Sequence, residues 1–103
     1  MSIPLDRFDW DSGNRAKCTK HGVPVATIES IFERDVHVFP DVRHSESETR
    51  FLAIGRASTG RQVFLAFTIR ERDGQRFLRP ISARWMHAKE IRHFEAQIAH
   101  PED

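Results

Sequence analysis

Cysteine is nearly absent from this chain, and the single residue, Cys18, excludes both an internal disulfide and a cysteine-built metal site. We interpret Cys18 as a packed helix residue instead of a reactive thiol, because free cysteines are commonly buried. No run of about 18 apolar residues occurs, which argues against a membrane-spanning helix. Residues 1–6 have neither the basic nor the apolar region of a signal peptide, so we expect a cytoplasmic protein. Repeats and flexible linkers are also missing, and the 103 residues are predicted to form a single domain.

Charge is abundant, but the two signs nearly cancel to a formal net charge of +1. Residues 1–49 carry six Lys or Arg against nine Asp or Glu, whereas residues 50–103 carry ten against six. Thirteen of the sixteen cations are arginine, and guanidinium groups bind phosphate through two hydrogen bonds and stack on bases. This pattern favours contact with phosphate or nucleic acid, and a solvated arginine-rich surface is the alternative.

Hydrophobic periodicity predicts an α+β fold, in which an antiparallel sheet has one face covered by two N-terminal helices and a C-terminal helix. Residues 63–67 are apolar on both faces, so their strand should lie inside the sheet. Asp73-Gly74 predicts a hairpin turn, and Asp11 or Ser12 is a suitable N-cap for the first helix. The predicted strands cover residues 5–10, 36–39, 50–57, 61–70 and 76–84, and the predicted helices cover about 12–21, 24–32 and 87–99.

A polar stretch over residues 41–49 contains groups suited to acid/base chemistry. If it is partly extended, His44, Glu46, Glu48 and Arg50 project to one side, because side chains alternate along a strand. Imidazole titrates near neutral pH without help from its surroundings, whereas a carboxyl needs an environment that raises its pKa. The alternative is an exposed loop with surface ion pairs.

Lys20 and His21 stand before Gly22 at the end of the first predicted helix. They are candidates for phosphate binding and for acid/base catalysis. Cations at this position also stabilise a helix through its dipole, and that structural interpretation stays open. Metal ligation is not expected, because His87 and His93 are six residues apart and would diverge on a helix.

Three further arginines lie near the ends of predicted strands. Arg61, Arg79 and Arg84 would be held by regular structure, which positions a phosphate more rigidly than a loop does. Strand alternation places Arg79 and Arg84 on opposite faces unless Pro80 introduces a bulge.

Six segments, in this order and at compatible spacing, resemble the BrnT family of bacterial type II toxins, over about residues 8–95. They are Phe8-Asp9-Trp10-Asp11, Lys20-His21-Gly22-Val23, His44-Ser45-x-x-Glu48-x-Arg50, Ile54-Gly55, Gly60-Arg61 and Arg79-x-Ile81-Ser82-Ala83-Arg84. The resemblance implies a RelE-like ribonuclease fold and growth arrest through RNA cleavage. It also implies a co-encoded ribbon-helix-helix antitoxin that binds operator DNA, assembled with the toxin as a dimer of heterodimers. Phe94 stands where many relatives have Tyr, so a phenolic proton donor is missing at that position.

The sequence therefore predicts an endoribonuclease that needs no metal or other cofactor, in which a 2′-hydroxyl or a water attacks the neighbouring phosphate. The predicted catalytic residues are His21, His44, Glu48 and Arg50, and the predicted substrate-binding residues are Lys20, Arg61, Arg79 and Arg84. The alternative is a non-catalytic protein that binds an antitoxin or transcription factor and modulates its binding to operator DNA.

Overall fold

The computed structural model describes residues 7–44 and 48–99. Its strands are β1 (Arg7–Phe8), β2 (Val36–Pro40), β3 (Arg50–Arg56), β4 (Gln62–Arg72) and β5 (Gln75–Trp85). Its α-helices are α1 (Ser12–Thr19), α2 (Val25–Ser30) and α3 (Ala88–Ala99), with 3₁₀ turns at Ile31–Glu33 and Val42–His44. The predicted α+β class is confirmed. Over these residues, none of the helices is both long and apolar enough to cross a bilayer.

The strands form one sheet in the order β1-β5-β4-β3-β2. β4 lies between β3 and β5, which confirms that residues 63–67 belong to an interior strand. The pairs β2/β3, β3/β4 and β4/β5 are antiparallel as predicted. β1 instead pairs in parallel with β5, with Arg7 opposite Phe77, so the sheet is mixed and the prediction is corrected at this edge. Alternating polarity identifies a strand but carries no information about the direction of its neighbour.

Local sequence rules placed some ends of the elements correctly and others a residue or two away. Asp11 caps α1 as predicted, although the helix ends at Thr19 and not at His21. Pro24 is the N-cap of α2 and not its first residue. The predicted hairpin is confirmed at Asp73-Gly74, whose φ angles of 53° and 78° suit a tight turn between twisted strands.

One face of the sheet packs against α1, α2 and the following 3₁₀ turn to form the core. Gly55 permits close approach there, because a Cβ at that position would lie 2.8 Å from the Ile31 Cβ. The core consists of Cys18, Val23, Ile28, Ile31, Val36, Ala53, Val63, Leu65, Phe67, Leu78 and Ala83.

The other face carries α3, so the expectation of a single covered face is wrong. The Phe94 ring of α3 lies 5.3 Å from the His37 ring. His37 is opposite Ile54, and Ile54 is opposite Phe64, which places all three on the face away from the core. Amphipathic spacing in α3 could identify its buried side but not the face of the sheet that it covers.

Cys18 is fully buried, more deeply than its sequence position indicated, and burial raises the pKa of its thiol to about 11. Because only the thiolate reacts, we expect the folded protein to be modified very slowly by a disulfide reagent at pH 8. The same protein in concentrated guanidinium chloride should react at the rate of an ordinary thiol. Rapid labelling of the folded protein would show that Cys18 is accessible, contrary to this packing.

Candidate functional site

A bulge in β5 decides which of its side chains share a face. Ala66 of β4 lies opposite Ser82, but the next residue, Phe67, lies opposite Pro80, so Ile81 has no partner across the ladder. One extra residue shifts the alternation of β5 relative to β4 at this point. The bulge considered at Pro80 in the sequence is therefore present.

This bulge brings Arg79 and Arg84 to the same face of the sheet, away from the core. Arg79 lies opposite Thr68 and Arg84 opposite Phe64, and side chains four residues apart on β4 point the same way. Arg50 of β3 also lies opposite Thr68, which forms a cross-strand row of Arg50, Thr68 and Arg79. Arg84 lies in a separate row about 13 Å away along the strand.

A hollow of about 390 Å³ opens beside this row, and we call it the Arg50 hollow. Three predicted site residues line it, namely Glu48, Arg50 and Arg79. The remaining lining residues come from α1 and the neighbouring strands, and they are Asp11, Gly13, Asn14, Lys17, Thr68, Pro80 and Ile81. Groups from both halves of the chain therefore meet in one depression that can accept a phosphate.

Arg79 is held in the Arg50 hollow by two carboxylates. Its Nη2 lies 2.7 Å from Asp11 Oδ2, and its Nη1 lies 3.5 Å from Asp9 Oδ2. The backbone N–H of Asn14, followed by Arg79, holds the pKa of Asp11 below its ordinary value of 3.8, and the hydrogen bond to Asp11 raises the pKa of Arg79. Arg79 therefore stays charged and is fixed by these two partners, with further N–H donors left on its guanidinium.

Asn14 ties α1 to the rim of the same hollow. Its side-chain oxygen accepts from the backbone N–H of Asp11 at 2.8 Å, completing a capping box. Its Nδ2 donates to the carbonyl oxygens of Asp9 at 3.0 Å and Pro80 at 2.9 Å. The start of α1 is thus fixed against the bulge, and Lys17, one turn further along, lines the hollow.

Glu48 and Arg50 flank a backbone segment that Thr68 fixes. The Thr68 hydroxyl is buried and donates to the Thr49 carbonyl at 2.7 Å. Glu48 Oε1 lies 3.6 Å from Arg70 Nη2, and both side chains are partly exposed. Such a solvated pair is weak, so the Glu48 carboxylate can exchange this partner for a substrate group.

Arg84 lies outside the hollow, although it shares the same face. Its Nη1 and Nη2 donate to the Glu90 carboxylate at 2.5 and 3.1 Å, and its guanidinium lies 4.7 Å from the centre of the Phe64 ring. Arg84, followed by the His87 backbone N–H, holds the pKa of Glu90 below its ordinary value. These contacts fix the start of α3 to β5.

Three other predicted residues lie at the opposite end of the sheet, around Trp85. Arg61 places its guanidinium carbon 4.0 Å from the centre of the Trp85 ring. Lys20 and His21 are exposed, and they precede Gly22, where a Cβ would lie 3.9 Å from the Trp85 Nε1. Trp85 pairs with Val63, on the side of the sheet that forms the core. This cluster, which we call the Trp85 cluster, therefore does not open into the Arg50 hollow.

The backbone at His44 forms part of a 3₁₀ turn, Val42–His44. The extended backbone on which the expected alternation depended is therefore not present at His44, and residues 45–47 lie outside the described residues. The side chain of His44 and all of Glu46 lie outside the described residues. Across those that are described, no three His, Cys, Asp or Glu side chains are grouped so that they could hold a metal ion.

The structure thus separates seven of the eight predicted residues into the Arg50 hollow, the Trp85 cluster and Arg84, which belongs to neither. The side chain of the eighth, His44, is not described. Sequence reasoning missed Lys17, Thr68 and Trp85 as neighbours of these groups. The three-residue spacing of Lys17 and Lys20 on a helix was an available signal, whereas nothing local distinguishes Thr68.

Comparison with curated proteins found no match. A family model, described as "Ribonuclease toxin, BrnT, of type II toxin-antitoxin system", matches residues 10–90. The matched segment covers most of the 103 residues and includes both Arg50 and Trp85. The chain therefore belongs to the BrnT family of ribonuclease toxins of type II toxin–antitoxin systems.

Proposed function

We propose that this BrnT-family protein is an endoribonuclease that cleaves RNA in the Arg50 hollow without a metal ion. The observation that carries the proposal is the meeting of Glu48, Arg50, Arg79 and Lys17 in one depression. Cations and a carboxylate in this arrangement provide charge stabilisation and proton transfer, the two requirements of phosphodiester cleavage.

In the proposed reaction the ribose 2′-oxygen attacks the adjacent phosphorus, and the bond from phosphorus to the 5′-oxygen breaks. The 2′-hydroxyl proton passes to Glu48, and the departing 5′-oxygen takes a proton from a donor on the other side. The products are a 2′,3′-cyclic phosphate and a 5′-hydroxyl end. Arg50 and Lys17 stabilise the negative charge that accumulates on the non-bridging oxygens. Attack by water instead would leave products without a cyclic phosphate.

The two predicted histidines differ in their position relative to Glu48, the proposed base. His44 is four residues from Glu48 along the chain, whereas His21 lies beyond the end of α1, in the Trp85 cluster. We propose His44 as the acid for the leaving oxygen and His21 as a substrate contact. Arg79 positions α1 and the phosphate, and Arg84 contacts RNA further along the same face.

Membership in this family implies a protein antitoxin as partner. We propose that it is a co-encoded ribbon-helix-helix protein, which also binds operator DNA and assembles with the toxin as a dimer of heterodimers in the cytoplasm. Three exposed apolar side chains support a protein partner, because two of them, Phe39 and Ile98, line one depression between β2 and α3, and clustered apolar side chains mark interaction sites. They are Phe39, Val42 and Ile98, with exposed fractions of 37%, 82% and 45%.

The test is incubation of the purified chain with end-labelled RNA in the presence of EDTA. We expect fragments with 2′,3′-cyclic phosphate ends, and we expect the purified antitoxin to prevent their formation. Fragmentation that requires added divalent metal would contradict the proposed mechanism. Intact RNA, together with a change in promoter output when the chain is co-expressed with an antitoxin, would favour the non-catalytic alternative.

A further inference from the structure

The Trp85 cluster combines a flat aromatic surface with an arginine, Arg61, that pairs with no carboxylate of the described residues. Over residues 7–44 and 48–99, Arg61 has no ion-pair partner, whereas Arg56, Arg79 and Arg84 each pair with a carboxylate. Its guanidinium instead stacks 4.0 Å from the centre of the Trp85 ring. A guanidinium supported in this way can stack against a nucleobase and attract its phosphate.

Helix α1 connects this cluster to the Arg50 hollow. It begins beside Pro80, where Asn14 donates to the Pro80 carbonyl at 2.9 Å. Past its end, Gly22 lies beside Trp85. The helix, about 12 Å long, and the residues that follow it to Gly22 therefore run along β5 from the bulge to the end of the strand, a distance of about 17 Å for five strand residues.

Basic residues follow α1 between these two points. Lys17 lines the hollow, and Lys20, three residues later, is exposed at the C-cap. Residues three apart lie on the same side of a helix, so both ammonium groups project toward one path. His21 is also exposed, and it directly precedes Gly22, which lies beside Trp85.

We propose that single-stranded RNA follows this path, from a cleavable phosphate in the Arg50 hollow, along Lys17 and Lys20, to a base that stacks on the Arg61–Trp85 pair. The inference rests on the proposed ribonuclease function and adds to it the route of the substrate. The path spans roughly three to five nucleotides. It explains why the predicted residues form two separated groups, since one group binds the reacting phosphate and the other a base some nucleotides away.

The test uses the full chain carrying Trp10→Phe, which leaves Trp85 as the only tryptophan. The probe is a labelled 2′-O-methyl RNA of about ten nucleotides, which cannot undergo attack by its 2′-oxygen. Anisotropy of the label measures affinity at several salt concentrations, and indole emission reports stacking at Trp85. We expect the emission to change as the RNA saturates the protein.

Four variants separate charge from stacking. Lys20→Gln and Arg61→Gln should each weaken binding about 5-fold or more and lower the slope of log affinity against log salt by about 0.7. Arg61→Lys keeps the charge but loses the planar group, so it should weaken binding with little change in slope. Arg92→Gln removes an exposed charge from α3 and should bind the probe as tightly as the parent, which is the chain carrying Trp10→Phe alone.

The proposed route is overturned if the parent does not bind the probe, if indole emission does not change, or if Lys20→Gln and Arg61→Gln bind as tightly as Arg92→Gln. With cleavable RNA the two variants should raise KM and leave kcat near that of the parent, which a purely structural role would not produce. Binding along the route by a protein that cleaves no RNA would instead refute the ribonuclease proposal and leave the route intact.

Discussion

Replacing Arg50 with alanine should lower the rate of RNA cleavage about 100-fold or more and relieve growth arrest in cells. Arg50 lines the hollow beside Glu48, and it lies in the same cross-strand row as the fixed Arg79. In the proposed reaction its guanidinium would stabilise the negative charge that develops on the phosphate. If that contact forms mainly in the transition state, as the proposed reaction requires, the loss should appear in kcat. Single-turnover cleavage of end-labelled RNA measures it.

Two controls make the Arg50 result interpretable. Arg92→Ala removes an exposed arginine of α3, a helix that does not line the hollow. This variant should cleave RNA at the rate of the unsubstituted protein. Thermal unfolding of Arg50→Ala, followed by circular dichroism, should show a cooperative transition. A well-folded Arg50→Ala protein that still arrests growth would remove Arg50 from the catalytic mechanism.

Replacing Phe67 with alanine should lower the free energy of unfolding by about 3–5 kcal/mol. The Phe67 side chain is 1% exposed in the central strand. Its ring stacks 5.5 Å from Phe51 and meets Phe32 edge-on at 5.7 Å, so its removal leaves a cavity between β3, β4 and the 3₁₀ turn. Since small domains are stable by only about 5–15 kcal/mol, a large part of the total would be lost. Urea denaturation measures the change.

The matched control for Phe67 is Val42→Ala. The Val42 side chain is 82% exposed, so its truncation should change the free energy of unfolding by less than about 0.5 kcal/mol. A loss below about 1 kcal/mol at Phe67 would mean that the core relaxes to fill the space, contrary to close packing of the three rings.

The substitutions Arg50→Ala and Phe67→Ala should both relieve toxicity, but for different physical reasons. Arg50→Ala should leave the amount of folded protein unchanged and lower the rate per molecule. Phe67→Ala should lower the amount of folded protein and leave the chemistry of the remaining molecules unchanged. Measurement of soluble protein beside growth distinguishes a catalytic defect from a folding defect.

Local rules account for most of the elements of this fold. Asp11 caps α1, and Asp73-Gly74 forms the hairpin turn, because each depends on only a few neighbouring residues. Apolar side chains at regular spacing likewise predicted the helices, and the continuous apolar run at residues 63–67 predicted an interior strand. Family membership was also predictable from sequence, because it rests on ordered motifs and not on contacts.

The arrangement of the candidate site required the tertiary structure. The bulge at Ile81 places Arg79 and Arg84 on one face, and strand alternation alone had placed them on opposite faces. The path of α1 along β5 separates His21 from Arg50, although the sequence had predicted both as catalytic residues of one site.

The sequence by itself determined the α+β class, the order of helices and strands, the N-cap at Asp11, the hairpin turn at Asp73-Gly74 and membership in the BrnT family. The tertiary structure decided the parallel pairing of β1, the face that α3 covers, and the division of the basic residues between the Arg50 hollow and the Trp85 cluster. The physical reason is that helix and turn preferences depend on residues near in sequence, whereas strand register and helix placement minimise the free energy of the whole packed chain.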